Sequence, residues 1–569
     1  SGFGDDRAKW IMGGKAMIWQ SNRDGLKSVA QSGNRQTDIY AMFFTQDAFD
    51  KFKLSKEDAS LLKEMDDIKN KVDTTKKVPK KDTISNVTFD WEGLTQRKIK
   101  LTIHSSSLAD ALISKDGETL YYLTRFEKGY NLWTTNLRTK ETKMLLPLNS
   151  LGSGSMMWDK EQKFIFLSSD GGIVKINAET GKQDAVKING EMNLDVAAER
   201  SFMFEHVWRR TKKTFYTASF HGINWDSYKA DYEKYLPSIG NNYEFSELLS
   251  ELLGELNVSH SGGSYNIQNP NADATASLGV FYDLSYTGTG IKVDEIINEG
   301  PLDKAVLNLK AGIIIEAIDG IAIANDKDLA QYLNRKAGKN TLLSIVENGN
   351  KKDITIKPIT IGEESDLLYK RWVKRNADEV EKMSDGQLGY VHIPGMNDGS
   401  YRNTYEDVMG KYANKKAIVI DTRFNGGGDL VADLAMFLSG KKFMDYSTDN
   451  RSNGFEPNFR WNKPSISIAN EANYSDGHCY AYAYQELKLG KLVGMPVPGT
   501  CTFAGWESLQ DNTLRWGVPP LGVKMMNGVY LENHQTEPDI KVRNDYETVV
   551  KGKDQQLEAA VNALLKEIK

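Results

Sequence analysis

The pattern of apolar residues changes along the chain, and this change constrains the fold more than any other feature. Residues 1–198 contain short apolar runs separated by polar turns, which is typical of antiparallel strands. Two of these copies, around 119–133 and 164–176, repeat at roughly 40–45 residues, the period of a four-stranded propeller blade. Three copies are too few for a closed ring of typically about 4–8 blades. We therefore predict a partial β-propeller in a multidomain α+β protein.

The start of the sequence bears on this interpretation. The chain begins with Ser1 rather than Met, and an incomplete ring needs further blades. We therefore expect the chain to be the C-terminal part of a longer protein. Residues 56–81 interrupt the blades with interleaved Lys, Asp and Glu, which predicts a solvated insertion with some helix.

Residues 199–276 are predicted to form a small helical module that ends in a polar linker. Five leucines lie at helical spacing on one face, at positions 248, 249, 252, 253 and 256. The helix is expected to stop at Gly262-Gly263, directly after the pair Ser259-His260.

Residues 277–360 show a pattern that resembles a PDZ domain. A strand, turn and short helix at 296–305 precede a strand that ends in a hairpin turn at Asp319-Gly320. An amphipathic helix is predicted over 326–338, followed by two closing strands. PDZ domains bind a peptide as an extra strand beside a sheet edge, so peptide binding is one expectation. A linker domain that binds nothing is an equal alternative.

Composition excludes several classes of function. The 72 basic and 77 acidic residues give a net charge of -5, which argues against nucleic acid as the main partner. No run approaches about 18 consecutive apolar residues, so no membrane span is predicted. Two cysteines cannot form a disulfide framework or a four-cysteine zinc site, and the His-Glu-x-x-His motif is absent. We predict no metal and no other cofactor.

Residues 361–569 have an α/β pattern, and a glycine-rich segment follows one of its strands. The strand 417–421 is apolar until its last residue, and Asn425-Gly426-Gly427-Gly428 comes shortly after it. Glycines at this place let backbone N–H groups approach a phosphate or an oxyanion. A P-loop is excluded because no Lys-Ser or Lys-Thr follows the glycines.

A second segment places a serine between a buried strand and a helix. Ser475, in Asn473-Tyr474-Ser475-Asp476-Gly477, would expose its hydroxyl at the end of the sheet. The N–H of the following residue could then face a developing oxyanion. Taken alone, Ser475 is better explained as a helix N-cap, since serine is favoured at that position.

The combination of these two segments with the PDZ pattern and the propeller repeats resembles the tricorn proteases. These are serine peptidases related to the C-terminal processing peptidases. The resemblance implies that Ser475 is the nucleophile and that the amide of Asp476 holds the oxyanion. The second oxyanion amide would be that of Gly428, with Gly427 as the alternative.

The resemblance also implies a relay behind the nucleophile. The general base would be His260 of the Ser259-His260 pair, and Ser259 would contact a carboxylate near the C-terminus. Glu532 fits the Glu-Asn motif of the family, and Glu537 is the alternative. Histidine suits this role because its pKa lies near neutrality. Since adjacent side chains on a strand point to opposite faces, the relay requires a turn at this pair.

Two further expectations concern mechanism and specificity. The processing peptidases use a Ser–Lys dyad, but Thr500 stands at the position of that lysine and no Lys occurs between Lys491 and Lys524. A relay through His260 is therefore favoured. Asp445 lies 30 positions before Ser475, and the resemblance suggests that it could favour a basic side chain before the cut. A solvated surface aspartate is at least as good an explanation.

The sequence therefore predicts a serine endopeptidase that cuts peptides through an acyl-enzyme. The alternatives are an inactive peptide-binding scaffold and an acyl hydrolase acting on non-peptide esters. By resemblance we expect peptide substrates, a homo-oligomer in the form of a hexamer, and a cytoplasmic location, with the periplasm as the alternative.

Overall fold

The computed structural model describes residues 2–28, 30, 35–72, 87–267, 269 and 271–569. Ser1, residues 73–81 of the predicted insertion and parts of the linker before 276 lie outside the described residues. The chain divides into two compact units, residues 1–193 and residues 194–569. No helix in these described ranges combines the length and apolar character that crossing a membrane requires.

The described residues of the first unit form three four-stranded antiparallel sheets in succession. Within each sheet the strands are neighbours in chain order. The helices α1 (Gln46–Lys53) and α2 (Lys56–Val72) follow the third strand, so the first part of the predicted insertion is helical. The strands are β1 (Asp5–Ile11), β2 (Ala16–Ser21), β3 (Asp38–Phe43) and β4 (Lys98–Lys100); β5 (Ser107–Ile113), β6 (Thr119–Arg125), β7 (Tyr130–Asn136) and β8 (Thr142–Ser150); and β9 (Ser155–Trp158), β10 (Phe164–Ser169), β11 (Gly172–Asn177) and β12 (Gln183–Ala185).

The second sheet, formed by β5 to β8, packs against the first sheet with one face and against the third sheet with the other. Side chains alternate between the faces of a strand, and β6 shows the consequence. Leu120 and Tyr122 belong to the core shared with the first sheet, while Tyr121 and Leu123 belong to the core shared with the third. Successive sheets that pack face to face are the arrangement of propeller blades. The partial propeller predicted from the repeat agrees with this architecture.

The second unit begins with a helical module whose core extends beyond its own sequence. The module contains α3 (Val196–Thr214), α4 (Trp225–Glu233), α5 (Asn242–Gly254) and β13 (Gly262–Tyr265). The leucines of α5 are buried as predicted, but they pack against Leu514 and Trp516, more than 250 residues further along the chain. The helical module and the last domain therefore share one core.

The PDZ-like region forms an antiparallel sheet in the order β15-β16-β17-β19-β20. Its helix is shorter than the sequence predicted, with four residues instead of the range 326–338. The helix starts after Leu329, and the backbone of Asn334, with a ψ of 131°, ends it. Arg335 then adopts a φ of 62°, outside the right-handed helical region. The elements are β14 (Ala276–Ser277), β15 (Val280–Tyr282), β16 (Ile291–Ile296), β17 (Ile314–Ile318), β18 (Ile321–Ala322), α6 (Ala330–Leu333), β19 (Thr341–Glu347), β20 (Asn350–Ile356) and β21 (Ile359–Thr360).

The last domain is built on a parallel sheet in the order β22-β23-β26-β27-β32. The strands at its centre are buried, since helices α7 and α12 pack against the sheet. Its elements are α7 (Ile361–Met383), β22 (Leu388–His392), α8 (Asp398–Glu406), β23 (Ala417–Asp421), α9 (Val431–Leu438), β24 (Met444–Thr448), β25 (Arg451–Glu456), β26 (Ser465–Ala469), α10 (Asp476–Glu486), β27 (Gly490–Gly494), β28 (Thr502–Phe503), β29 (Trp506–Ser508), β30 (Leu514–Gly517), β31 (Leu521–Gly522), β32 (Ile540–Lys541), α11 (Tyr546–Val549) and α12 (Gln555–Glu567).

Two strand ends position the segments that the sequence singled out. Strands β23 and β26 are parallel neighbours, so their carboxyl ends lie at the same edge of the sheet. The glycine segment follows β23, and the turn with Ser475 follows β26. Strand β13 pairs with β30, which brings the end of the helical module to the same domain.

The core shared by α5 and β30 makes a testable prediction. Leu252 is fully buried, so Leu252→Ala should leave a cavity and destabilise the protein by about 2–5 kcal/mol. The neighbouring Glu251→Ala changes an exposed side chain on the same helix and serves as the control. The measurement is the denaturation midpoint of each variant. Equal midpoints for the two variants would contradict the shared core.

Candidate active site

The Ser259-His260 pair lies in a turn after α5. His260 has a φ of 59°, in the left-handed region, and the pair is not part of a strand. This backbone lets adjacent side chains meet, because they are not forced to opposite faces as on a strand. The Ser259 Oγ lies 2.8 Å from the His260 Nδ1. The geometric requirement for a relay through this pair is met.

Ser475 lies in a sharp turn between β26 and α10. Its φ of 55° and ψ of -124° are strained for a residue with a Cβ, and its side chain makes no capping hydrogen bond to α10. Ser475 thus occupies the N-cap position of α10, as its residue type suggested, but its hydroxyl does not cap the helix. Instead, its Oγ lies 2.8 Å from the Nε2 of His260. Of the seven histidines, all within the described ranges, only His260 bonds to the Ser475 hydroxyl.

The carboxylate of Glu532 completes the contacts of Ser259. Its Oε1 accepts a hydrogen bond from the Ser259 amide at 2.6 Å, and its Oε2 accepts one from the Ser259 Oγ at 3.0 Å. Only 3% of Glu532 is exposed. Glu537, the alternative carboxylate, is exposed and pairs with Lys541 at 3.3 Å. The structure thus brings Glu532, and not Glu537, to Ser259.

The positions of the protons follow from these contacts. The single proton of the Ser259 hydroxyl is donated to Glu532, so the Ser259 Oγ accepts from the Nδ1–H of His260. The neutral imidazole then has its lone pair at Nε2, which faces the hydroxyl of Ser475. The four residues form one hydrogen-bonded chain that can accept the Ser475 proton at His260.

Burial shifts the pKa of two members of this chain. It lowers the pKa of His260 below its ordinary value of 6.5, since the charged imidazolium is poorly solvated there. It raises the pKa of Glu532, although the hydrogen bonds from Ser259 act in the opposite direction. The lowered pKa keeps His260 neutral, and therefore able to accept a proton, at neutral pH.

The three amides predicted to hold the oxyanion differ in their availability. The Gly427 amide donates to the Oδ1 of Asn425 at 2.8 Å and is therefore occupied. Within the described part of the chain, the amides of Gly428 and Asp476 donate to no backbone or side-chain acceptor. Of the predicted amides, those of Gly428 and Asp476 remain able to bind an oxyanion.

Two buried asparagines, Asn425 and Asn473, tie the glycine segment to the Ser475 turn. The backbone carbonyl of Asn425 accepts a hydrogen bond from the Tyr474 amide at 2.9 Å, and the Asn425 side-chain Nδ2 donates to the Ile393 carbonyl. From the other side, the Asn473 Nδ2 donates to the Thr422 carbonyl at 2.8 Å. These bonds hold the ends of β23 and β26 in a fixed relation.

The carboxylate of Asp476 has a structural partner. Its Oδ2 accepts from the amides of Leu430 and Val431, at the start of α9. Burial raises the pKa of Asp476, and these two hydrogen bonds oppose the shift. Its side chain thus links α9 to α10, while its own amide has no acceptor among the described residues.

Asp445 lies apart from these contacts. It is on β24, in the exposed hairpin formed by β24 and β25, and it forms an ion pair with Lys442. It makes no hydrogen bond to the relay residues within the described ranges. Its predicted role in specificity stays a prediction.

Sequence reasoning missed two features next to the relay. Thr502 contacts both Ser259 and His260, at 3.0 Å and 2.9 Å. Cys479 and Cys501 form a disulfide that joins α10 to the segment before β28. The cysteine count excluded a framework of several disulfides, but neither residue spacing nor composition indicated that these two cysteines meet beside Ser475.

Three family models match the chain. Residues 196–254 match the Tricorn protease C1 domain, residues 281–360 match the Tricorn protease PDZ domain, and residues 387–542 match Peptidase family S41. These ranges include helices α3 to α5 of the helical module, most of the PDZ-like region and most of the last domain, but not the turn with Ser259 and His260. The chain is therefore related to the tricorn proteases in two of its parts and to Peptidase family S41 in a third.

Individual relatives agree with these matches. A protein of Sulfurisphaera tokodaii named as a tricorn-like protease C-terminal subunit is 28% identical over 474 residues, which are 79% of this chain and 53% of that protein. The tricorn protease of Thermoplasma acidophilum is 26% identical over 383 residues, which are 64% of this chain and 35% of that protein. The chain thus spans about half, or less, of the length of these relatives.

A solved structure shares the fold. The crystal structure of the tricorn protease superposes with a TM-score of 0.78 over 100% of this chain and 55% of that chain, at 18% sequence identity. At this identity the likeness concerns the fold alone.

The contact between the glycine segment and Ser475 leads to a second prediction. A Cβ on Gly427 would lie 2.5 Å from the Ser475 Cβ, and the φ of 92° strains any other residue. Gly427→Ala should therefore lower the free energy of unfolding by more than the about 1–2 kcal/mol that left-handed strain alone costs. A Cβ on Gly426 meets no described atom within 4 Å, so Gly426→Ala is the matched control. Denaturation midpoints measure both, and a stable Gly427→Ala would contradict the described packing.

Proposed function

We propose that this relative of the tricorn proteases is a serine peptidase that cuts peptides internally through an acyl-enzyme on Ser475. The observation that carries the proposal is the unbroken hydrogen-bonded chain from Ser475 through His260 and Ser259 to Glu532. A serine hydroxyl becomes an effective nucleophile when an adjacent base accepts its proton, and His260 is placed to do so. The match to Peptidase family S41 supports the same reaction class.

The geometry supports a sequence of steps without a metal. The Ser475 Oγ attacks the carbonyl carbon of the scissile peptide, and its proton passes to the His260 Nε2. The carbonyl electron pair moves to the oxygen, which the amides of Gly428 and Asp476 can stabilise. Collapse of this intermediate expels the amine, which takes the proton from His260, and leaves the acyl group on Ser475. Water then attacks the ester carbonyl and gives its proton to His260. The bond between the acyl carbon and the Ser475 Oγ breaks, Ser475 takes the proton back from His260, and the acyl product leaves as a carboxylic acid.

The residues behind His260 stabilise its protonated, positively charged form in this proposal. When Nε2 accepts the proton, the positive charge is stabilised through the hydrogen bond from Nδ1 to Ser259, whose hydroxyl bonds to the carboxylate of Glu532. The same bonds hold the tautomer that exposes the lone pair of Nε2. Ser259 and Glu532 therefore act as positioning residues in this proposal.

The PDZ-like region offers a place for a peptide substrate. The edge strand β15 and helix α6 line a groove of about 480 Å³ that includes Val280, Leu329 and Leu333, and an added peptide strand would fit beside β15.

Specificity, assembly and location are further proposals. Asp445 is proposed to favour a basic side chain before the cut. A homo-hexamer and a cytoplasmic location are proposed from the relatedness to the tricorn proteases, with the periplasm as the alternative.

Labelling by a fluorophosphonate probe tests the nucleophile. The unaltered protein should be labelled at Ser475, and Ser475→Ala should lose both labelling and peptide hydrolysis. Ser439→Ala changes an exposed serine and should keep both. Absence of labelling in the folded protein would favour the scaffold. Labelling together with ester cleavage but no cleavage of a peptide library would favour the hydrolase of non-peptide esters.

The pH profile tests the base. Because His260 must be neutral to accept a proton and burial lowers its pKa, kcat/KM should rise with pH through a midpoint below 6.5 and remain high at neutral pH. His206→Gln, on α3, should leave this midpoint unchanged. His260→Ala should remove most of the activity and, with it, the rise of kcat/KM at low pH, which we call the acid limb. A midpoint above 6.5 would contradict the assigned environment of His260.

A further inference from the structure

A three-residue segment, Thr500–Thr502, contacts both halves of the site. The Thr500 Oγ1 accepts a hydrogen bond from the amide of Ser475 at 3.1 Å. The Thr502 Oγ1 lies 2.9 Å from the Nδ1 of His260 and 3.0 Å from the Oγ of Ser259. The nucleophile turn and the base turn lie 215 positions apart in sequence, so this segment is a physical link between them. We call it the threonine clamp.

The proton of the Thr502 hydroxyl has a defined acceptor. The Ser259 proton goes to Glu532, so the Thr502 hydroxyl donates to the Ser259 Oγ and keeps its lone pairs for the Nδ1–H of His260. His260 Nδ1 therefore faces two hydroxyl oxygens, at 2.8 Å and 2.9 Å. In the other tautomer the Nδ1 of His260 carries a lone pair, so the Thr502 hydroxyl could bond to it only by donating its proton, and its hydrogen bond to Ser259 would be lost.

A buried histidine holds the first residue of the clamp. The Thr500 amide donates to the Nδ1 of His478 at 3.1 Å, so the ring proton is at Nε2, which lies 2.9 Å from the Thr536 Oγ1. His478 is fully buried, and burial lowers its pKa to about 4. It therefore stays neutral over the working pH range and keeps accepting from Thr500.

Covalent and backbone bonds hold the rest of the clamp. Cys501 is joined to Cys479, in helix α10, which begins directly after Ser475. Thr502 is in β28 and pairs with Gly522 of β31. These ties fix the backbone of the segment on both sides. The hydrogen bonds of the Thr500 and Thr502 hydroxyls then hold the two side chains in one orientation.

We propose that the threonine clamp is a positioning element of the site, with Thr502 as the residue that orients His260 and stabilises its proton-accepting tautomer. The proposal rests on the proposed peptidase function, because it assigns Thr502 a role in the reaction of Ser475. Thr502 does not react itself. It acts through Ser259 and His260, and Thr500 acts through the backbone of Ser475.

The test compares Thr502→Val, which keeps the shape and removes the hydroxyl, with Thr502→Ser, which restores a hydroxyl. Thr502→Val should lower kcat by about three- to tenfold, the effect of one hydrogen bond, with KM unchanged. The loss of an acceptor at Nδ1 destabilises the imidazolium, so the acid limb of kcat/KM should move to lower pH. Thr502→Ser should recover both values, and Thr448→Val, at an exposed threonine, should change neither.

The rates are normalised to the concentration of sites that react with the fluorophosphonate probe. A purely structural role would reduce the number of reactive sites but leave the acid limb in place. An unchanged kcat and acid limb in Thr502→Val, with normal labelling, would overturn the proposal while leaving the peptidase function intact. Absence of labelling in the unaltered protein would instead overturn the peptidase function.

If the unaltered protein is not labelled, the role of Thr502 can still be tested by a measurement that needs no catalytic activity. The ¹⁵N NMR shifts of His260 report which ring nitrogen carries the proton. In the unaltered protein the proton should be on Nδ1, and Thr502→Val should shift the ring toward a mixture of tautomers. An unchanged tautomer in the variant would overturn the role of Thr502.

The double variant Cys479→Ser with Cys501→Ser tests whether the disulfide between these residues holds the threonine clamp in place. We expect a lower kcat per titrated site, because the segment is held less firmly, and a partial shift of the acid limb in the same direction as for Thr502→Val. A double variant with the kcat and acid limb of the unaltered protein would show that the disulfide does not support the clamp.

Discussion

The site depends on the fixed relation between the carboxyl ends of two parallel strands. Strands β23 and β26 end at one edge of the sheet, and the segments that follow them are joined by buried amides rather than by further strand pairing. Asn425 is central to this junction, since its carbonyl accepts from the Tyr474 amide while its side chain occupies the Gly427 amide. Because the amide of Gly427 is occupied in this way, the amide of Gly428 is the one that remains available beside Ser475. A buried polar side chain with all its partners present gives such a junction a single geometry.

His260, the proposed base, is brought to this edge of the sheet by packing of the helical module. The turn with His260 follows helix α5, whose apolar face packs against Trp516 and so belongs to the core of the last domain. Glu532 then joins the end of the same turn through two hydrogen bonds to Ser259, across 273 positions of sequence. Hydrophobic burial thus brings the two regions together, and a few directional bonds set the final distances. Neither contribution alone would place the Nε2 of His260 within 2.8 Å of the Ser475 hydroxyl.

The parts of this arrangement differ in how far the sequence predicts them. The leucine spacing of α5, the apolar run of β23 and the strand–turn–helix pattern around Ser475 are local, and periodicity or composition is enough to find them. The choice between Gly427 and Gly428 depends on a side chain from the same loop, and the choice between Glu532 and Glu537 depends on burial by distant segments. The helix predicted over 326–338 was too long because the backbone leaves the helical conformation at Asn334, which the spacing of apolar residues does not report. Contacts such as that of Thr502 with His260 are made only by tertiary packing, and no local pattern reports them.

The placement of a hydroxyl between the imidazole and the carboxylate has an electrostatic consequence. A carboxylate in direct contact with a histidine favours the imidazolium and raises its pKa. Here Ser259 separates Glu532 from His260, and burial, which disfavours the charged ring, determines the direction of the shift. The base is therefore neutral over a wider pH range, but its protonated state receives less direct stabilisation. Orientation by neutral hydroxyls then matters more than charge, which is why a second hydroxyl at the Nδ1 of His260, that of Thr502, is significant in this site.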